Sequence, residues 1–128
     1  MREAIAPVRP NTSFSELTAR FLTSTNNFIP VIDETQRFVG VVALQDMKEY
    51  LHNGTEMQGV IAYDIMREPP QALTPNQKLT DAFPLLLQSE LRNVPVINNR
   101  IESRLVGSVL RSEALQMISE ALTARRGL

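Results

Sequence analysis

FIPVIDETQRFVGVVALQD, residues 28–46, is written again in altered form as NVPVINNRIESRLVGSVLRSE, residues 93–113. Each copy opens on an apolar-Pro-Val-Ile run, passes through a polar turn and resumes as a Val-Gly-x-Val strand. Each then places an acidic residue six positions after the glycine, Asp46 or Glu113. A shift of 65 carries the likeness back to the start of the chain, pairing Met1 with Met66, Arg2 with Arg67, Glu3 with Glu68, Pro10 with Pro75 and Asn11 with Asn76. Leu22 and Ser24 pair with Leu87 and Ser89, and Pro30-Val31-Ile32 with Pro95-Val96-Ile97. Chance would give roughly two identities over such a span, so the chain is an internal duplication. Beyond the turn the shift becomes 67 (Gly40 with Gly107, Val42 with Val109), and the extra residues fall in NNRIES, 98–103, where a turn absorbs them.

Both copies carry the same local signals. A Pro-punctuated extended lead-in (Val8 to Pro10, Leu73 to Pro75) runs into a helix. Ser13-x-x-Glu16 is a capping box, and Phe14, Leu17, Phe21 and Leu22 recur at helical spacing. The two strands that follow are apolar on both faces, which predicts cover on both sides. A second helix closes each copy, over 44–51 with NG at 53–54 as its stop, and over about 112–122. Pro84 lies inside the helix expected over 79–89 and should kink or shorten it. A β-α-β-β-α unit of this size has too small a core to stand alone. The expected fold is therefore α+β, a pseudo-twofold pair of repeats packed sheet to sheet, with repeats at 1–54 and 66–128 joined by a connector at 55–65.

Composition narrows the function classes. With 43% hydrophobic and 21% charged residues the chain reads as globular. A formal charge of −1, with no block of one sign, gives no footprint for nucleic acid. The absence of cysteine excludes disulfides and thiolate chemistry. NTS (11–13) and NGT (53–55) match the glycosylation pattern but no secretory leader accompanies them. No apolar run approaches the roughly 20 residues of a membrane span, so the expectation is a soluble domain.

The hairpin phrases and the twofold repeat resemble a tandem cystathionine-β-synthase (CBS) domain pair, a Bateman module, over essentially the whole chain. FIPVIDETQRFVGVVALQDMKEYL, MQGVIAYDIMREPPQALTPNQKL and RLVGSVLRSEAL further resemble the cytoplasmic tail of bacterial ClC-family chloride channels and transporters. That resemblance implies a regulatory module on the cytoplasmic face of a membrane, joined to an upstream transmembrane domain of the same chain and forming a homodimer. AYDIMRE introduces the second repeat, whereas the first begins at MRE; a faithful duplication predicts a matching lead-in before Met1.

Nothing in the sequence assembles a catalytic or metal site. The single histidine, His52, stands at a helix end beside NG, where it serves the helix C-terminus more readily than a reaction. Glycines are scattered rather than gathered in a phosphate loop. The expectation is a module that is not an enzyme. Family resemblance implies instead an adenosine ligand (ATP, ADP, AMP or another adenosine compound) in the cleft between the repeats. Its ribose would meet Asp46 or Glu113; a carboxylate accepts two hydrogen bonds from a diol, and a helix N-terminus attracts phosphate. Phe28 and Ile29 in the first repeat, and Asn93 and Val94 in the second, take the strand positions beside the adenine. The family hydroxyl three residues before the acid is Ala43 in one copy and Leu110 in the other, so both motifs depart from the pattern. Arg111 is the expected phosphate partner, with Arg37 and Lys48 behind it. An acid in a first helical turn is also favourable for the macrodipole alone, and Phe28 equally suits a core.

Two other readings stay open. A ligand-free assembly module would dimerise through Leu44, Met47, Leu51, Leu115, Met117, Ile118 and Leu122. A regulatory module of another ion transporter, or of a metabolic enzyme, would show the same fold.

Overall fold

The computed structural model describes residues 1–52 and 59–126. The chain runs α1 (Phe14–Leu22), β1 (Phe28–Ile32), β2 (Phe38–Ala43), α2 (Leu44–His52), α3 (Ala62–Ile65), α4 (Leu79–Gln88), β3 (Asn93–Ile97), β4 (Leu105–Leu110) and α5 (Arg111–Arg126). Two antiparallel hairpins, β1–β2 and β3–β4, form two small sheets, one per repeat. The duplication is kept to the level of register. Val31 faces Gly40 as Val96 faces Gly107, and both hairpins shift register at the next residue.

The turns close alike for the same reason. Asp33 Oδ1 accepts from the backbone N–H of Thr35 (2.8 Å) and of Arg37 (3.0 Å). Asn98 Oδ1, its counterpart, accepts from the N–H of Arg104 (2.9 Å). Gln36 and Ser103 take positive φ (68° and 53°) at equivalent points just before the second strand. Asp33 is thus a turn-forming residue, and the Thr35 hydroxyl (2.6 Å) and backbone bonds hold its carboxyl below the usual range.

The expected first strand of each repeat is reduced to a single parallel bridge, Val8 to Val31 and Leu73 to Val96. Pro10 and Pro75, two residues on, lack the N–H that would extend either bridge into a ladder. Half of the expected capping box forms: Ser13 Oγ accepts from the Glu16 N–H at 3.2 Å, but the Glu16 side chain takes no bond from the Ser13 N–H. α4 is not shortened by Pro84 and runs ten residues through it. Proline there forfeits only the bond to the Thr80 carbonyl. The end of α4 is tied by the Ser89 N–H on the Leu85 carbonyl (3.0 Å) and by Arg111, which donates to the carbonyls of Leu86 (2.6 Å) and Leu87 (3.0 Å).

Each repeat builds its own core between hairpin and helices. Leu17, Val31, Val42 and Ala62 are buried in the first, and Leu86, Val94, Val96 and Ile118 in the second. A third cluster joins Phe38 and Val41 of one repeat to Ile97 of the other, with Phe28 against it. The Phe38 N–H also donates to the Ser103 carbonyl at 2.8 Å, and Arg37 Nη1 to the Ile101 carbonyl at 2.8 Å.

The lead-ins cross over between the repeats. Arg67 exchanges two backbone hydrogen bonds with Val41 of β2 (3.1 and 2.8 Å), and Arg2 exchanges two with Ser108 of β4 (2.8 and 2.9 Å). Each segment that introduces one repeat therefore lies on the sheet of the other. A Cβ at Gly40 would stand 2.6 Å from the Arg67 carbonyl oxygen, and one at Gly107 2.9 Å from that of Arg2. That close approach is why Val-Gly-x-Val is written twice.

Candidate ligand clefts between the repeats

The first cleft grows from the end of β2. The Leu44 N–H donates to the Asn27 carbonyl (2.9 Å), so α2 begins as the strand ends and Asp46 falls in its first turn. The crossover bonds to Val41 bring Arg67 alongside. Its Nε and Nη2 grip Asp46 at 2.6 and 2.9 Å, a two-pronged ion pair. The guanidinium is held above its ordinary pKa, first by this hydrogen bond and the Asp46 charge, then by Glu90 and Glu49. Around it lies a cavity of about 330 Å³ walled by Phe28, Ala43, Lys48, Arg67 and Glu90. A neighbouring cavity of about 290 Å³ shares Phe28, Arg67 and Glu90 with it.

The second cleft obeys the pseudo-twofold. The Arg111 N–H donates to the Arg92 carbonyl (2.9 Å), as Leu44 does to Asn27, and Glu113 sits in the first turn of α5. Arg2, carried by its own crossover, donates to Glu113 at 2.6 Å. Both side chains are more than half exposed, whereas that of Asp46 is only 19% exposed. The adjoining cavity is larger and more open, about 870 Å³, with Arg2, Asn93, Leu110 and Arg111 among its walls.

Of the residues expected from sequence, Phe28 and Asn93 line clefts, and Asn93 also donates to Asn26 Oδ1 across the repeats at 2.8 Å. Ile29 and Val94 send their side chains into the two cores. Asp46 and Glu113 face arginines and are not part of the cavity walls; the arginines are. Arg111 borders the second cleft, but its guanidinium binds the α4 carbonyls. Arg37 reaches across to the other turn, and Lys48 does line the first cleft. Arg2, Arg67 and Glu90 were not anticipated. The signal for the two arginines was the repeated Met-Arg-Glu, which sets Arg2 and Arg67 at equivalent points as Asp46 and Glu113 are; nothing in the repeat marks Glu90.

The side chain of His52 and the NGT phrase lie outside the described residues. Among the described residues no group of three His, Asp or Glu side chains is placed to hold a metal ion, and no helix is long and apolar enough to cross a membrane.

The CBS domain family matches the chain over residues 1–53 and 62–120. This chain belongs to the CBS domain family. Its tandem arrangement recurs in solved CBS pairs. CBSX2 from Arabidopsis thaliana is 25% identical, with a TM-score of 0.73 over 95% of this chain and 89% of that one. CBSX2 in complex with AMP gives 25% and 0.70 over 91% and 89%. CbpB in complex with c-di-AMP, at 16% identity and 0.73 over 96% and 82%, shares the fold. No curated protein sequence matches the chain. Two such repeats with paired hairpins make the module an α+β CBS pair of the regulatory kind.

Proposed function

We propose that this CBS pair is a regulatory module that takes an adenosine compound in the first cleft. The carrying observation is the difference between two sites the sequence wrote alike. In the first, Phe28, Lys48 and Arg67 share one wall system, and Asp46, itself mostly shielded, stands behind a part-exposed Arg67 at the start of a helix. In the second, the arginine and acid are open to water and Arg111 is engaged by α4. A half-buried aromatic offers a face to the base, the cations suit a phosphate, and Asp46 suits a ribose diol once Arg67 turns to the phosphate. Glu90 on the same wall repels accumulating phosphate charge, so AMP is expected ahead of ATP. CBSX2, a quarter identical, forms a complex with AMP.

The test is a thermal-shift series with adenosine, AMP, ADP and ATP on the wild type and on Asp46→Ala. A ligand at about 100 times its Kd adds about 2.7 kcal/mol, a rise of several degrees. The reading expects the rise for AMP and its loss in Asp46→Ala. No rise with any of the four compounds overturns it.

The parent is a ClC-type channel or transporter in this reading, supported by sequence phrases, GVIAYDIM and GSV foremost, and the module works at the cytoplasmic face as a homodimer. Met47 and Ile118 fill the cores and Leu44 and Leu115 pack against them, which leaves Leu51, Met117 and Leu122 exposed for a dimer seam on α2 and α5. That seam equally supports a second reading, assembly without ligand. Sedimentation and AMP titration of the wild type and Met117→Glu separate the two: a variant monomer that still binds AMP retains the sensor, and a wild-type dimer that binds no AMP and becomes a monomer in Met117→Glu retains the assembly module.

A further inference from the structure

The acid expected to take a ribose is already engaged. Asp46 presents both carboxylate oxygens to Arg67, Oδ2 accepting from Nε at 2.6 Å and Oδ1 from Nη2 at 2.9 Å. The guanidinium stands between that carboxylate and the cleft. Arg67 belongs to the walls of both neighbouring cavities, about 330 and 290 Å³, and Asp46 to neither. Exposure agrees: the Asp46 side chain is 19% exposed and that of Arg67 45%. A diol reaches Asp46 only after Arg67 has left it.

The two partners lose unequally when they part. Asp46 stays in the first turn of α2, where the helix start favours negative charge, and gains the two donors of the diol. Arg67 keeps its backbone bonds to Val41 (3.1 and 2.8 Å), so its side chain alone swings and its guanidinium is left without an anion. A nucleoside supplies none. A 5′-phosphate on the same ligand does, and a guanidinium takes phosphate with the same two-pronged fork it offers a carboxylate. Lys48 lines the same cavity, held by no ion pair among the described residues, and adds a second cation there.

We propose that Arg67 is an internal competitor of the ribose for Asp46, so that the first cleft admits a nucleoside carrying a phosphate and refuses the nucleoside alone. The inference rests on the adenosine-compound reading of that cleft and adds the group that sets its selectivity. The second cleft holds a weaker copy of the same contact. Arg2 makes one bond to Glu113, and both side chains are more than half exposed, so water competes for each of them. Arg67 is therefore a specificity-determining residue and more than a phosphate ligand: its removal helps one compound and harms the other.

Calorimetric titration of adenosine and of AMP into the full chain tests this, with the wild type beside Arg67→Met, which keeps the apolar stem. The wild type should bind AMP roughly 10- to 100-fold more tightly than adenosine, the worth of one charge-assisted bond. In Arg67→Met adenosine should tighten and AMP weaken, each about tenfold, a pair of opposite changes that lost packing does not produce. Should the variant not fold, the wild type decides by NMR: the Arg67 Nε–H resonance should move on addition of AMP and stay in place with adenosine. Adenosine bound by the wild type as tightly as AMP overturns the inference and leaves the cleft a ligand site, with Glu90 of the same wall receiving the displaced guanidinium. Equal weakening of both compounds in Arg67→Met overturns it too and makes Arg67 a structural support. No binding of either compound to either protein overturns it together with the reading of the cleft on which it rests.

Discussion

Gly40→Ala tests the crossover on which the first cleft is built. The added methyl group would lie 2.6 Å from the Arg67 carbonyl oxygen and 3.1 Å from Met66 Sδ. The thioether can turn aside, but the carbonyl is backbone, bonded to the Val41 N–H at 3.1 Å while the Arg67 N–H returns a bond of 2.8 Å. Relief requires the crossover to move off β2. Losing or stretching two backbone bonds costs about 0.5–1.5 kcal/mol each, and forced overpacking about 1–3 kcal/mol; because the shift relieves the clash as it strains the bonds, the sum is about 2–4 kcal/mol. For a chain of this length that is a fall in Tm of roughly 8–16 °C. Gly59→Ala is the control, since its added Cβ meets nothing within 4 Å and only its φ of 88° is penalised, by about 1 kcal/mol. Urea unfolding of both variants reads the difference. If Gly40→Ala costs no more than Gly59→Ala, the close-approach account of the repeated glycine is wrong.

Further consequences can be read from single side chains. Arg111→Ala removes two bonds to the last carbonyls of α4 and should cost about 1–2 kcal/mol by urea unfolding, with Arg111→Lys recovering less than half because an ammonium lacks the two-pronged geometry. Asp33 has a depressed carboxyl pKa, so its contribution to stability is whole above the unfolded value of about 3.9 and is lost as pH falls through the lower folded value. The gap in urea midpoint between wild type and Asp33→Ala should accordingly narrow in acid; a gap independent of pH would contradict the turn's dependence on the charged form. In a double-mutant cycle, Asp46 with Arg67 should couple more strongly than Glu113 with Arg2. The first pair is two-pronged with its carboxylate shielded, and the second is open to solvent on both sides, where such pairs are worth about 0–1 kcal/mol.

The hairpins were legible because local chemistry repeated itself. Pro-Val-Ile, a turn former and Val-Gly-x-Val each dictate structure within a few residues, and the second copy confirmed the first. The crossovers were not legible, although Arg2 and Arg67 stood in plain view as a repeated pair. Their partners, Glu113 and Asp46, lie 111 and 21 residues away, and nothing local links the guanidinium to the acid. Arg111 was misleading for a similar reason. At a helix start beside an acid it resembles a phosphate ligand, yet α4 packs close enough to offer its carbonyls first. Met47 and Ile118 were assigned to a seam because a helix of alternating character has two apolar edges, and only packing shows which edge is inside. At the candidate site, sequence supplied the acids and Phe28, and the fold supplied the arginines that hold those acids.

The most direct measurement is an amide NMR titration of the ¹⁵N-labelled chain with AMP. The account predicts shifts concentrated at Asn27, Phe28, Ala43 to Asp46 and Arg67, with Asn93, Leu110 and Glu113 unmoved at the same concentration. Shifts centred on the second group, or none at millimolar AMP, would contradict the claim that the first cleft is the ligand site.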